Sequence, residues 1–229
     1  MHRSLVYWLT AQYRKTPMAM DALPASQFQA ELQELEKQWQ TSFNRLAKWL
    51  SVQFAERTFK QSDYALKDRF DKTLGIRVKF TMNDDMRNAY LSVQNEQVGL
   101  IRSIPQEHMT EVQGLVMRSV ARGRDLHYLT TELVQRYKIT QRRASFIARD
   151  QNNKATSTLQ AARQQQLGIT EGIWRHSRGG KQPRQSHIEA DGKKFDISKG
   201  MLIDGKWIMP GELPNCRCGW QPVIPGLDD

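Results

Sequence analysis

Three side chains near the carboxyl end of the chain are the ones best able to do chemistry. They are His187, Cys216 and Cys218, and no other cysteine occurs in the 229 residues. Thiolate sulfur and imidazole nitrogen are preferred zinc ligands, and a structural zinc site needs four of them. Asp191 or His176 could supply the fourth. Because C-x-C is less usual for zinc than C-x2-C, we predict no metal here and keep these residues only as candidates.

The same side chains permit a second interpretation, in which a histidine base activates a nucleophilic thiol. That chemistry needs a third group to orient the imidazole and a donor site for an oxyanion, and the sequence shows neither. The default is that Cys216 and Cys218 are small buried residues and that His187 makes a hydrogen bond. No P-loop, dinucleotide fingerprint, HExxH or G-x-S-x-G motif occurs. We therefore expect no catalytic residue and no cofactor.

Positive charge indicates a polyanionic partner. Lysine and arginine number 34 against 24 acidic residues, which gives a net charge of +10. Such an excess favours phosphate contacts and counterion release, so nucleic acid is the natural candidate. We predict phosphate contact by Arg142, Arg143, Arg149 and Lys154, on a helix where Arg142, Arg149 and Arg163 recur at multiples of seven. The alternative is a solvated charged face.

The same helix contains a polar run, residues 150–153, with the sequence Asp-Gln-Asn-Asn. Short or amide-bearing side chains in succession are poor helix formers, so something other than helix propensity must favour them. We predict that they form hydrogen bonds to a carboxyl-terminal β region packed over them. A polar seam is favoured here over a catalytic site.

Helix breakers divide the chain. Ten of its fourteen glycines and five of its eight prolines follow Leu167, so the first three quarters are predicted to be helical and the remainder not. Hydrophobic residues make up 39% and charged residues 25%, which is ordinary for a protein with a buried core. The fold class is therefore mainly α with a small carboxyl-terminal α+β module.

The helical part begins with a long amphipathic helix capped by Ser26. Its apolar stripe recurs at steps of three and four, and packing against the chain's own helices is favoured over a partner helix; the stripe is Phe28, Leu32, Leu35, Trp39, Phe43, Leu46, Leu50 and Phe54. The pattern then predicts these elements: a helix at 63–74 closed by Gly75, a strand at 76–82, a helix at 84–104, a helix from Pro105 to Gly123, a helix at 126–137, and a helix from Thr140 to Leu167 closed by Gly168.

The carboxyl-terminal module is predicted to be built from short strands. Residues 169–176 and 185–188 are β-like, and a hairpin joins 201–203 to 207–209. Asp204 and Gly205 form its turn, since this pair readily takes positive φ at both positions.

The two cysteines and the first residues of the chain indicate the cellular compartment. Cysteines one residue apart would close a strained ring if they paired, which favours a reducing compartment. The apolar cluster at 5–9 is too short for a membrane span and lacks a small-residue cleavage pattern. We expect synthesis in the cytoplasm and no membrane partner.

The order of residue types in the last quarter resembles the phage head morphogenesis family, the minor head proteins of the bacteriophage Mu F type. The residues that carry the resemblance as a structural signature are Trp174, Arg184, His187, Asp191, Asn215, Cys216, Arg217 and Cys218. The similarity extends over about 101–222. It predicts two domains, an amino-terminal helical region for assembly at 1–100 and a Mu F-like domain at 101–229.

The resemblance implies a non-enzymatic minor head protein of a tailed phage or prophage, located in the virion head or procapsid interior. Its implied partners are the portal protein, other head proteins and double-stranded DNA bound without sequence preference, with a role in packaging or ejection. Two rivals remain. One is an enzyme, either a Cys/His hydrolase or a metal-dependent nuclease, and the other is a zinc-stabilised DNA-binding module.

Two departures from the family pattern bear on a site. Relatives usually have glutamate after the arginine of the basic helix, where this chain has Asp150. They also often have an acidic residue between the tryptophan and the histidine, where this chain has Ser-Arg-Gly-Gly at 177–180. If that acid belongs to a metal or catalytic site in relatives, the site is altered here.

Overall fold

Helices dominate the computed structural model, which describes residues 2–15, 24–121, 126–179 and 182–226. A helical part is followed by short antiparallel strands, as predicted. The elements are α1 (His2–Lys15), α2 (Pro24–Leu74), α3 (Asp84–Ala121), α4 (Leu126–Gln166), β1 (Glu171–Arg175), α5 (Gln185–Glu189), β2 (Lys194–Asp196), β3 (Met201–Ile203), β4 (Lys206–Ile208) and β5 (Gly219–Pro222).

The long helices are more continuous than predicted. Helix α2 runs through the gap expected between Phe54 and Asp63, where Ala55, Thr58 and Ser62 continue the buried face at helical spacing. Small and hydroxyl-bearing residues do not register as an apolar stripe, although they allow close packing. The two predicted helices are therefore one.

Helix α3 likewise continues through Pro105, which was expected to open a new helix. A proline inside a helix removes one backbone hydrogen bond. Met109 and Val112 are fully buried in the following turns, and their burial offsets that loss. The predicted end at Gly123 lies outside the described residues, as does the side chain of the predicted cap Ser26.

Thr140 does not begin a helix either, because it lies inside α4. Its hydroxyl donates to the Arg136 carbonyl oxygen at 3.0 Å, one turn back, instead of capping a new helix. The end of α4 agrees with prediction: Gly168 has φ +76°, and the Ile169 N–H donates to the Gln164 carbonyl at 2.9 Å.

Two predicted strands are wrong. Residues 76–82 form no strand, because they have no partner strand in the part of the chain that the structure describes. The strand-like pattern came from four apolar residues at every second position, but only Val78 and Phe80 pack against a core, while Ile76 and Met82 are exposed. Residues 185–188 belong to α5, where the Ile188 N–H donates to the Arg184 carbonyl.

The chain forms two compact units. The first comprises Met1–Trp49 and Val98–Ser145, and the second comprises Leu50–Gln97 and Phe146–Asp229. The predicted division at residue 100 marks where the family resemblance begins, and it remains a prediction.

The first unit has a helical core. Leu32 of the predicted stripe is fully buried in it and Leu35 packs at its edge, whereas Leu46 is 41% exposed. The core residues are Leu5, Leu9, Leu32, Met109, Val112, Leu115, Val116, Leu129 and Leu133.

His108 is a buried histidine of the first unit. Its Nδ1 lies 2.9 Å from Thr140 Oγ1, whose own proton is used on the Arg136 carbonyl, so the imidazole donates from Nδ1. Burial, with the charge of His2 as a smaller cause, lowers the pKa of His108 to about 4. The folded unit therefore holds this imidazole neutral.

Acidification will destabilise the first unit. Between the unfolded pKa of about 6.5 and the folded value of about 4, only the unfolded chain takes up this proton. The stability is therefore complete above pH 6.5 and falls by up to about 3 kcal/mol as the pH approaches 4. Hydrogen exchange of α3 amides across this range measures it. A His108→Gln variant should flatten the dependence, and an unchanged pH profile in that variant contradicts the assignment.

The second unit contains the carboxyl-terminal module. A three-stranded antiparallel sheet has the order β2-β1-β5, with Trp174 paired to Trp220. β3 and β4 form the predicted hairpin, and its turn residues Asp204 and Gly205 have φ +51° and +75°. The core beneath the sheet includes Leu66, Phe70, Ile169, Trp174, Phe195, Ile197, Cys216, Cys218 and Trp220.

Candidate functional site

The loop at 214–218 lies against α4 through the polar run predicted to hold it. Asp150 is buried, and its Oδ1 accepts the Asn215 backbone N–H at 2.6 Å. Asn153 Nδ2 donates to the Cys216 carbonyl at 2.8 Å. Asn215 has φ +60°, a conformation that asparagine tolerates better than most residues. The predicted bonding of this run to the carboxyl-terminal region is confirmed.

Gln151, in the same run, bonds elsewhere in the second unit. Its Oε1 accepts a hydrogen bond of 2.8 Å from Gln97 Nε2, and both residues are buried. A buried amide pair that satisfies its donor costs little, whereas an unpaired one would cost about 1–3 kcal/mol. The run therefore has a structural role toward two partners, the 214–218 loop and Gln97.

Two arginines of the signature bond to the main chain of neighbouring loops. The Arg184 guanidinium donates to the Pro214 carbonyl at 3.0 Å, and the Arg217 guanidinium donates to the Gly179 carbonyl at 2.7 Å. Each bond joins a side chain to main chain far along the sequence. Both residues are therefore positioned as supports of the loops.

Asp191 supports a third loop. Its Oδ1 accepts the His176 backbone N–H at 3.0 Å, and its Oδ2 lies 3.6 Å from the Arg178 guanidinium. The backbone hydrogen bond, followed by the charge of Arg178, keeps the pKa of this carboxyl below its usual value. The structure thus gives Asp191 a loop-holding contact outside the cysteine and histidine cluster.

His187, Cys216 and Cys218 come together, as the sequence spacing alone could not establish. His187 Nδ1 lies 3.5 Å from Cys216 Sγ and 3.6 Å from Cys218 Sγ. The three side chains are 2%, 3% and 9% exposed. A hydrogen bond between the two sulfurs lowers the pKa of the Cys216 thiol and raises that of Cys218.

Aromatic rings enclose this cluster on its sheet side. Trp174 is fully buried and meets His187 edge to face, with ring centroids 5.3 Å apart. Phe195 meets the rings of both Trp174 and Trp220. Trp220 Nε1 donates to Gln164 Oε1 at 2.7 Å, which fixes the sheet to α4. Trp174 and Trp220 therefore pack in the core, and the indole N–H of Trp220 has a hydrogen-bond acceptor.

The arrangement lacks parts that a Cys/His nucleophile requires. His187 Nε2 is buried without a hydrogen-bond partner among the described residues, so no group orients the imidazole from its far side. Cys216 is also almost inaccessible. What the arrangement offers instead is two sulfurs and one nitrogen within 4.8 Å of one another, beside a cavity of about 200 Å³.

The predicted phosphate-contacting residues differ in their surroundings. In the first unit Arg142 is exposed, whereas Arg143 pairs with Glu107 at 2.5 Å. In the second unit Arg149 is exposed, whereas Lys154 lies 3.1 Å from Asp150 and is largely covered. Neither Arg142 nor Arg149 has an ion pair within the described ranges.

Arg163 does not belong to an exposed basic face, and that prediction was wrong. It is 1% exposed, and its guanidinium forms a two-point ion pair with Asp63, at 2.9 Å for both bonds. The sequence contained a signal, since Arg163 continues the spacing of four set by the buried Ala155 and Leu159. No sequence signal identified Asp63 as the partner of Arg163, because it lies one hundred residues away.

The fold and the site define a class: a mainly helical protein whose small α+β module is held on a long helix and surrounds a histidine and two cysteines. The comparison with protein families agrees with this class. Residues 110–220 match the family model described as Phage Mu protein F like protein. The resemblance seen in the sequence is thereby confirmed over these residues, which make up about half of the chain.

A bacterial protein is also similar to part of the chain. The chain is 35% identical over 127 residues to an uncharacterized protein of Haemophilus influenzae. That similarity covers 56% of this chain and 28% of the relative. No solved structure matches the chain. Among the described residues no helix is both long enough and apolar enough to cross a membrane.

Proposed function

We propose that this protein is a minor head protein of a tailed phage or prophage, acting at the portal vertex during head morphogenesis. The observation that carries the proposal is the family match over residues 110–220. That range contains α4 from its first residue and the module attached to it as far as Trp220. Its location would be the virion head or procapsid interior, with the portal and other head proteins as partners.

The bonding within the module supports an assembly role over turnover. Signature residues bond to main chain in neighbouring loops: Arg184 to Pro214, Arg217 to Gly179, and Asp191 to His176. Such contacts fix a surface for binding. An enzyme would need an accessible nucleophile and an oriented base, and Cys216 and His187 have neither property.

Crosslinking in purified heads tests the proposed location. We expect mass spectrometry to find the protein in heads in few copies, with crosslinks to the portal protein. A phage lacking the gene should give defective or non-infectious heads. Normal, infectious particles without the gene product, or a protein absent from heads and portal crosslinks, would overturn the proposal.

Double-stranded DNA is the second proposed partner, through phosphate contacts made by exposed arginines. Arg142 and Arg149 project from α4 without an ion pair in the described parts of the chain. Each phosphate that a protein neutralises contributes about −0.9 to the slope of log affinity against log salt. The binding is therefore expected to be sequence-tolerant and strongly salt-dependent.

Replacing Arg142 and Arg149 together by alanine should reduce that slope by about 2, if each residue contacts one phosphate. Fluorescence anisotropy with two unrelated duplexes over a range of salt concentrations measures the slope. Lys72→Ala is the matched control, because the Lys72 ammonium is already 2.9 Å from the Asp68 carboxylate. Equal affinity at low and high salt, or the same slope in the double variant, excludes this DNA contact.

A further inference from the structure

The two cysteine sulfurs share one histidine nitrogen. Cys216 Sγ and Cys218 Sγ lie 3.5 and 3.6 Å from His187 Nδ1. A neutral imidazole nitrogen offers either one lone pair or one N–H in the plane of its ring, so it forms one good hydrogen bond. Two sulfurs at nearly equal distances from this atom are therefore poorly explained by thiol hydrogen bonds.

The distances agree with a metal centre between the three atoms. Zinc binds thiolate sulfur at about 2.3 Å and imidazole nitrogen at about 2.0–2.1 Å, so two such ligands at a tetrahedral angle are separated by about 3.6 Å. The two observed sulfur-to-nitrogen distances match that separation. All three candidate ligand atoms lie within 4.8 Å of one another.

Backbone donors surround both sulfurs. The backbone N–H groups of Cys218 and Gly211 lie near Cys216 Sγ, and the backbone N–H of Ser177 lies near Cys218 Sγ. The indole N–H of Trp174 lies near Cys218 Sγ without a well-aligned hydrogen bond and has no other acceptor within the described chain. A thiol is a weak acceptor, whereas a metal-bound thiolate is stabilised and oriented by such donors. The nearby donors are therefore placed where they can orient sulfur ligands of a metal.

Charge balance also favours a divalent cation. Two thiolates in a buried site carry a charge of −2, which is costly unless it is compensated. Zn²⁺ with two thiolates and a neutral imidazole has no net charge. The three side chains also line the cavity of about 200 Å³, which has room for a water molecule as the fourth ligand.

We propose that His187 Nδ1, Cys216 Sγ and Cys218 Sγ bind one Zn²⁺, with the fourth coordination position open to this cavity. The ion joins α5 to the loop that precedes β5, two segments that the Arg184–Pro214 hydrogen bond also links. The C-x-C spacing made zinc an unfavoured prediction, but His187 of α5 supplies a third ligand that this spacing does not show. This site is independent of the proposed role in phage heads.

Metal content and Co²⁺ substitution test the site directly. The full chain, purified without chelator, should contain one zinc per molecule by mass spectrometry of the metal. Protein stripped with a chelator and titrated with Co²⁺ should show a thiolate-to-cobalt charge-transfer band and the visible bands of tetrahedral cobalt, saturating at one equivalent. Cys216→Ser, Cys218→Ser and His187→Asn should each lose stoichiometric zinc, while His108→Gln, a buried histidine elsewhere, should retain it.

Measurements on the wild-type chain test the site even if the variants fail to fold. Zinc should protect both thiols from alkylation and raise the midpoint of thermal unfolding in a concentration-dependent way. The proposal is wrong if the wild-type chain contains no zinc as purified and its stripped form gains neither thiol protection nor a cobalt spectrum. It is also wrong if Cys216→Ser and Cys218→Ser both bind zinc as tightly as the wild type.

Discussion

Replacing Arg163 by methionine will lower the free energy of unfolding of the second unit by about 3–5 kcal/mol. The guanidinium is 1% exposed and donates to both carboxylate oxygens of Asp63. It also donates to the Thr81 carbonyl at 2.7 Å and lies 4.6 Å from the Phe80 ring centroid. Methionine replaces the apolar volume but leaves the Asp63 charge without its partner, and that charge is the source of the loss.

Two variants separate charge pairing from packing at this site. Arg143→Met removes an ion pair from the same helix, but both partners are half exposed, so the cost should stay below about 1 kcal/mol. Adding Asp63→Leu to Arg163→Met should recover much of the loss, because no unpaired charge remains. Urea unfolding followed by circular dichroism and hydrogen exchange in α4 measures all three. A loss below 1 kcal/mol in Arg163→Met contradicts the prediction.

Truncating Trp174 to alanine will also destabilise the second unit by about 3–5 kcal/mol. The indole is fully buried between His187 and Phe195, and its strand lies at the centre of the three-stranded sheet. Removing it leaves a cavity that the surrounding strands cannot close without shifting. The same experiment tests whether the module's core depends on this ring.

Trp207 provides the matched control in the same module. It lies on the hairpin and is 59% exposed, so Trp207→Ala should change stability by less than about 0.5 kcal/mol. The comparison uses backbone amide exchange in β1 and β5. Equal effects of the two substitutions would show that Trp174 is not the centre of this core.

The parts of the fold that were predictable depend on local signals. The concentration of glycine and proline after Leu167 marked the end of the helical part, and Asp204-Gly205 determined the hairpin turn. Whether the long helices continue without a break was harder to predict from the sequence. It depends on tertiary burial, which compensates for Pro105 and for the weakly apolar residues around Thr58.

The site was predictable in composition but not in geometry. The polar run at 150–153 indicated bonding to the terminal region, because side chains so unsuited to a helix need partners elsewhere. The approach of both sulfurs to the same nitrogen of His187 depends on how α5 and the 214–218 loop meet. The Arg163–Asp63 pair was missed for a similar reason, since a contact across one hundred residues leaves no local pattern.

Asp150 and Asn153 hold the 214–218 loop through hydrogen bonds to its backbone, at the Asn215 N–H and the Cys216 carbonyl. These two bonds hold the path of the loop without using its own side chains, provided that position 215 accepts positive φ, and the Arg217 side chain adds a separate bond to Gly179. The outward surface of the segment can thus be altered to suit different neighbours while the sulfurs beneath keep their places.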